Sequence, residues 1–204
     1  MSLVDAIVAL ILATLLIVGG YQIYFLPQKY PIRHAVQLMT KIDDLIPFRP
    51  GWVWIYSFFY YPFILSVILT LANFRHFAYV ALSFIGLLVL QFLIAYFFPV
   101  KTPAHWRHYD PKNTISERFL AFVHKFDEGG NCFPSMHVGV AVLSALHIYY
   151  NLAETTGTWA FSIFVMPLLI SISTVFTKQH FLVDIPAGAA LAIGVFSIFV
   201  VAYF

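Results

Sequence analysis

Apolar residues in this chain come in long blocks separated by short polar or proline-bearing stretches, without the strict alternation of a half-buried strand. Blocks long enough to cross a hydrocarbon layer of roughly 30 Å fall at 3–24, 52–72, 77–98, 135–152, 159–176 and 181–203. The pattern predicts an all-α, polytopic membrane protein with six transmembrane helices in one bundle, a single domain over 1–204, because the connections are too short for a separate soluble domain. The first block carries Asp5, lacks a basic leader and is longer than the apolar core of a signal peptide, so it reads as a spanning helix. In the connection 25–51, Ala35, Leu38, Met39, Ile42, Leu45 and Ile46 recur at helical spacing while Lys41, Asp43 and Asp44 interrupt them. That spacing suits a short interfacial amphipathic helix, with a plain loop as the other reading.

Composition agrees: 61% of residues are hydrophobic, the mean hydropathy is +0.86, and 22 Phe and 12 Tyr give more apolar surface than a soluble core of 204 residues hides. Trp52, Trp54, Tyr60, Tyr61, Trp106 and Trp159 fit interfacial anchors. Charge is distributed unevenly. With six spans, one face carries ten of the eleven Lys and Arg (Lys29, Arg33, Lys41, Arg49, Lys101, Arg107, Lys112, Arg118, Lys125, Lys178) and the other only Arg75. By the positive-inside tendency the richer face is cytoplasmic, in a plasma, inner or endomembrane.

The same parity brings three polar clusters together on that face: Lys101, His105, Arg107 and His108; Ser135 and His137; Lys178, His180 and Asp184. Ionisable groups beside hydrocarbon are costly unless paired or functional, which marks these helix mouths as a reactive centre. Phosphoryl transfer requires cations around the equatorial oxygens, a nucleophile on one side and an acid on the other. Asp184 lies four residues after His180, so on a helix its carboxylate holds one ring nitrogen and leaves the other to attack phosphorus. His137 then protonates the departing oxygen, while Ser135, at the start of a helix, offers a phosphate contact. Each piece also has an ordinary reading: Pro134-Ser135 as a helix start, His180 and Asp184 as a surface pair, Lys101 and Arg107 as headgroup anchors. Cys132, the only cysteine, sits five residues before His137, where a thiol at the site's mouth is expected to be reachable from water.

Lys101 and Arg107 after the third span, Phe133-Pro134-Ser135-Met136-His137 before the fourth, and Ser173 to Asp184 before the sixth resemble the three motifs of the type 2 phosphatidic acid phosphatase superfamily. The resemblance implies a six-helix membrane enzyme without metal or other cofactor, acting on lipid phosphates through a phosphohistidine. It also implies phosphate binding by Lys101, Arg107 and Ser135, acid catalysis by His137, attack by His180 and orientation by Asp184. The chain departs from the pattern in two places. Arg107 follows Lys101 by six residues where seven is usual, and Thr174 stands where an arginine is usual, with Lys178 the nearest replacement. The stretch 173–180 is more similar to the inositolphosphotransferase and sphingolipid synthase branch, so a phosphotransferase is the second reading of function. The third is a metal transporter using His105, His108 and His124, disfavoured because no acidic or histidine pair in mid-helix suggests a path across the bilayer. The expected partners are the bilayer and a lipid phosphate, with no nucleic acid, and oligomeric state is left open.

Overall fold

The computed structural model describes residues 1–203, and among these the only strand pairing is a lone parallel bridge between Val36 and Val100. Five helical stretches are long and apolar enough to cross a membrane, against the six expected. The difference lies in Met136–Phe176, which is helical throughout its 41 residues. A straight helix of that length would separate its ends by about 60 Å. Instead the Ser135 N–H donates to the carbonyl of Asp184 at 3.1 Å, so the stretch must fold back. It does so at Gly157, whose φ of +57° is costly for a residue with a Cβ.

We therefore label α1 (Leu3–Tyr24), α2 (Pro50–Thr70), α3 (Phe74–Phe97), α4 (Ile115–His124), α5 (Met136–Thr156), α6 (157–176) and α7 (Asp184–Tyr203). α2 is irregular: a π turn at Trp54–Phe59 precedes Pro62, which has no N–H for the helical ladder, and a 3-10 turn closes it at Ser66–Thr70. The connection 25–51 contains two short helical pieces, Leu26–Lys29 and Lys41–Leu45, the second opened by a capping box of Thr40 and Asp43.

The backbones of α5 and α7 come close at Gly139 and Gly188. A Cβ on Gly188 would lie 2.4 Å from the Ser135 carbonyl, and one on Gly139 would lie 3.3 Å from the Gly188 carbonyl. Small residues let two membrane helices touch along their backbones where lipid supplies no hydrophobic drive. This crossing sets the mouth of α5 beside the mouth of α7. α1, by contrast, buries only Ala9, Gly20 and Tyr24 along its length.

One polar group departs from the expectation that they crowd a single face. His147, fully buried in the middle of α5, approaches the Ser83 hydroxyl of α3 at 2.8 Å. That hydroxyl spends its proton on the Val80 carbonyl, so the His147 ring nitrogen is the donor.

Candidate active site

α6 ends at Phe176, and the chain reverses through residues 177–183 before α7 opens at Asp184. The final helix was expected to start at 181. The turn ends it later because the Gln179 and His180 amides both bond the Thr174 carbonyl, at 2.9 and 3.3 Å, and Lys178 takes a left-handed φ of +58°. The spacing of four survives without a regular helix. The Asp184 carboxylate accepts from the Phe181 amide at 2.8 Å and lies 3.2 Å from Nδ1 of His180.

The nearest acceptor for that imidazole is the Cys132 carbonyl, 2.7 Å from Nδ1. A carbonyl only accepts, so Nδ1 carries the proton and Nε2 keeps its lone pair. The His180 ring is thus held with its proton on Nδ1 by main chain and side chain together. Across from it stands His137 of α5, its ring centroid 6.2 Å from that of His180. From α2, Tyr56 of the π turn stacks on His137 at 4.1 Å and Tyr60, just after that turn, leans on it at 4.8 Å. Nδ1 of His137 is buried without a hydrogen-bond partner.

The predicted cations separate. Arg107 lies beneath the turn 127–130: it donates to the Asp127 carbonyl, makes an ion pair with the Asp127 carboxylate at 3.8 Å, and has buried Nε and Nη2 groups without acceptors. Gly129 permits this, since a Cβ there would come within 2.7 Å of Nη2. Lys101 points elsewhere. The segment 99–102 is extended and pairs with Val36, so its side chains alternate. Val100 packs with Trp106, Cys132 and Phe181, which turns Lys101 into a separate cleft of about 200 Å³ with Arg33, His34 and Gln28, whose lining includes neither histidine of the pair.

Ser135 is fully buried and caps α5, its hydroxyl accepting from the Val138 amide at 3.4 Å, the ordinary helix-start role. Lys178 sits in the irregular backbone that a phosphate contact would have required. Yet its ammonium donates to the Asp43 carbonyl at 2.6 Å and rests 4.6 Å over the Trp106 ring. Burial lowers its pKa, with Asp44 and Asp43 opposing that shift.

Three features of the site were not anticipated. Asp43, only 2% exposed, reaches the turn from the 25–51 connection: one carboxylate oxygen accepts from the Leu182 amide at 2.7 Å, and the other from the Thr40 amide and hydroxyl, each at 2.7 Å. The sequence carried a signal in Thr40-x-x-Asp43, a helix start inside an apolar pattern. The second feature is the Cys132 carbonyl, which no side-chain pattern announces. The third is the place of His124 of α4, named above only as a metal-ligand candidate: it contacts the side-chain amide nitrogen of Gln179 and lies 3.0 Å from the Tyr109 hydroxyl. Burial, then Arg107, push its pKa down to about 3, so it is neutral here.

The expected accessibility of Cys132 is corrected. Its thiol is 2% exposed, because packing with Val100, Trp106 and Phe181 takes it from water, and burial pushes its pKa up. Among the described residues no group of three or more His, Cys, Asp or Glu converges to hold a metal ion, so His105, His108 and His124 are not assembled as one.

Apolar helices long enough to cross a membrane thus bring two histidines and a buried aspartate together at their mouths. The sequence pattern of the PAP2 superfamily matches residues 30–198, and the chain belongs to that superfamily. No curated protein and no solved structure matches the chain. Membership brings phosphatase-type chemistry in general.

Proposed function

We propose that the protein is a lipid phosphate phosphatase, acting on a phosphatidic acid, phosphatidylglycerol phosphate or polyprenyl diphosphate type of substrate through a phosphohistidine. The observation that carries this reading is the His180 imidazole fixed at Nδ1 by the Cys132 carbonyl and Asp184, with the His137 ring facing it. Nε2 of His180 attacks phosphorus, the bond from phosphorus to the lipid oxygen breaks, and His137 gives that oxygen its proton. Water then attacks the phosphohistidine, His137 takes the proton, and inorganic phosphate leaves. Arg107, whose buried Nε has no acceptor and whose Nη2 has only the 3.8 Å ion pair with Asp127, supplies the cation for the equatorial oxygens. An apolar cavity of about 110 Å³ between α1, α2, α3 and α5 meets the site at Tyr60 and Met136 and suits the first methylenes of a tail.

A phosphotransferase is the second reading, favoured by Thr174: fully buried, with its carbonyl spent on the turn, it leaves the third motif without an arginine for phosphate. Purified protein is to be incubated with phosphatidic acid, phosphatidylglycerol phosphate, polyprenyl diphosphate, and ceramide with phosphatidylinositol. Free phosphate supports hydrolysis, a new phosphodiester supports transfer, and neither product from any substrate overturns both. Activity is expected to survive chelator, and a strict requirement for a divalent ion removes this mechanism. The active face is proposed to be cytoplasmic on its charge. A cysteine at exposed Lys112, in a Cys132→Ser background, should then react with impermeant maleimide in inside-out vesicles and not in intact cells.

A further inference from the structure

α4 has two working faces. Its inner face reaches the site: Trp54 donates to the Ser116 hydroxyl at 3.1 Å, the Phe119 ring lies 5.0 Å from Trp54, and His124 contacts Gln179, the neighbour of His180. Trp54 stands in the first turns of α2, so a helix packed on it lies at the depth of the membrane interface. The outer face presents Ile115 and Phe122 at 71% and 53% exposure, and Phe126, in the turn that follows the helix, is 61% exposed. At about 100° per residue Ile115 and Phe122 lie about 20° apart, and Phe126 extends their apolar stripe beyond the helix end. The exposed charges on the helix and at its C-cap are Arg118 and Lys125, with Lys112 just before it; of the acids nearby, Glu117 is held by the Thr114 hydroxyl at 2.7 Å, Asp110 accepts from the Lys112 amide at 2.9 Å, and Glu128 lies past the end of the helix. An apolar stripe flanked by cations, at interfacial depth, is complementary to an anionic lipid surface.

We propose that α4 docks on the anionic headgroup layer of the membrane and, by pressing His124 against Gln179, holds the turn that carries His180, so that catalysis responds to surface charge. The stripe seats in the acyl boundary while Arg118 and Lys125 meet lipid phosphates. The activity half of this proposal rests on the phosphatase reading, whereas the docking half does not.

The full chain carrying Phe122→Cys in a Cys132→Ser background is to be spin-labelled and reconstituted in phosphatidylcholine vesicles, with and without about 30% phosphatidylserine. The label is expected to move from water into the interfacial layer when anionic lipid is present. In the same vesicles, phosphate release by the unlabelled protein from a short-chain lipid phosphate should rise with phosphatidylserine. The Arg118→Gln, Lys125→Gln double variant should lose that rise, by about fivefold for each cation removed, and keep its activity in detergent. A label that stays in water at every composition overturns the docking, as does cross-linking between two copies through position 122, which would make the stripe a self-association face. Docking without any charge response of activity overturns the coupling. If no lipid phosphate is hydrolysed in any condition, the phosphatase reading falls while the label still decides the docking.

Discussion

Two polar segments on one face of this molecule, 99–107 and 177–184, carry signals of similar strength in the sequence and meet different fates in the fold. The turn 177–184 is tied from several directions: Cys132 and Asp184 hold His180, Asp43 holds Leu182 and Lys178, and Trp106 supports the Lys178 ammonium. The segment 99–107 is divided by its own pleat and fold, with Lys101 facing the separate cleft and Arg107 tucked under the turn at 127–130. A relation carried by a few covalent bonds, such as His180 to Asp184, survives even when the helix that suggested it is absent. A relation between two residues six apart depends on how the chain between them turns, which spacing does not encode.

The contrast breaks most sharply at His180. His180→Ala is expected to lower turnover by about a thousandfold or more. Asp184→Asn should cost roughly ten- to a hundredfold, because the Cys132 carbonyl still holds the Nδ1 proton. Steady-state phosphate release on folded variants checks both, and near-normal activity of His180→Ala would remove it as nucleophile. Within 99–107 the two cations should behave unequally: Arg107→Gln should cost about a hundredfold in kcat/KM and Lys101→Gln less than about threefold. Equal losses would mean that the two cations converge on the phosphate after all.

Smaller effects sharpen the account of how the turn is held. Asp43→Ala removes the Leu182 anchor and should lower kcat about tenfold while KM changes less than about twofold, since positioning and not binding is lost. Thr40→Ala breaks only the cap, leaves that anchor, and is expected to keep most of kcat. A parallel loss in both variants would reduce Asp43 to a stability residue. The slightest effect concerns acid. His124 has a folded pKa of about 3 against 6.5 for the free group, so between these values the unfolded chain binds more protons. Its contribution to stability is therefore complete above about pH 6.5 and is lost as pH falls towards 3. Melting temperatures at pH 7.5 and 5 should differ less in His124→Gln than in the parent.

Much of the architecture was legible because the bilayer demands long apolar runs, and the runs beginning at residue 3, 77 and 135 end within a few residues of α1, α3 and α5. The break expected between the runs 135–152 and 159–176 is where the chain reverses, at Gly157, although the helical hydrogen bonding continues through it and leaves no polar loop there. In the site, His137, His180 and Asp184 assemble because each stands at or beside a helix mouth and the mouths share a face. Lys178 fell outside that logic. Two residues before His180 is about 200° around a regular helix, so Lys178 could help only from irregular backbone. The irregularity that exists sends its ammonium to Asp43. Asp43 itself was read as an interruption of an apolar pattern, since contacts between residues 139 positions apart leave no periodic trace.

The carbonyl that fixes His180 belongs to position 132, and every amino acid offers a carbonyl there. Half of what orients the His180 ring is therefore written in atoms that substitution does not alter. Alanine scanning would pass over residue 132 as a packing position, and a lineage could exchange its side chain for one that keeps the packing against Val100, Trp106 and Phe181 while the tautomer stayed fixed. Only a change that moves the main chain, such as a residue that crowds Arg107 by adding a Cβ at Gly129, would reach it.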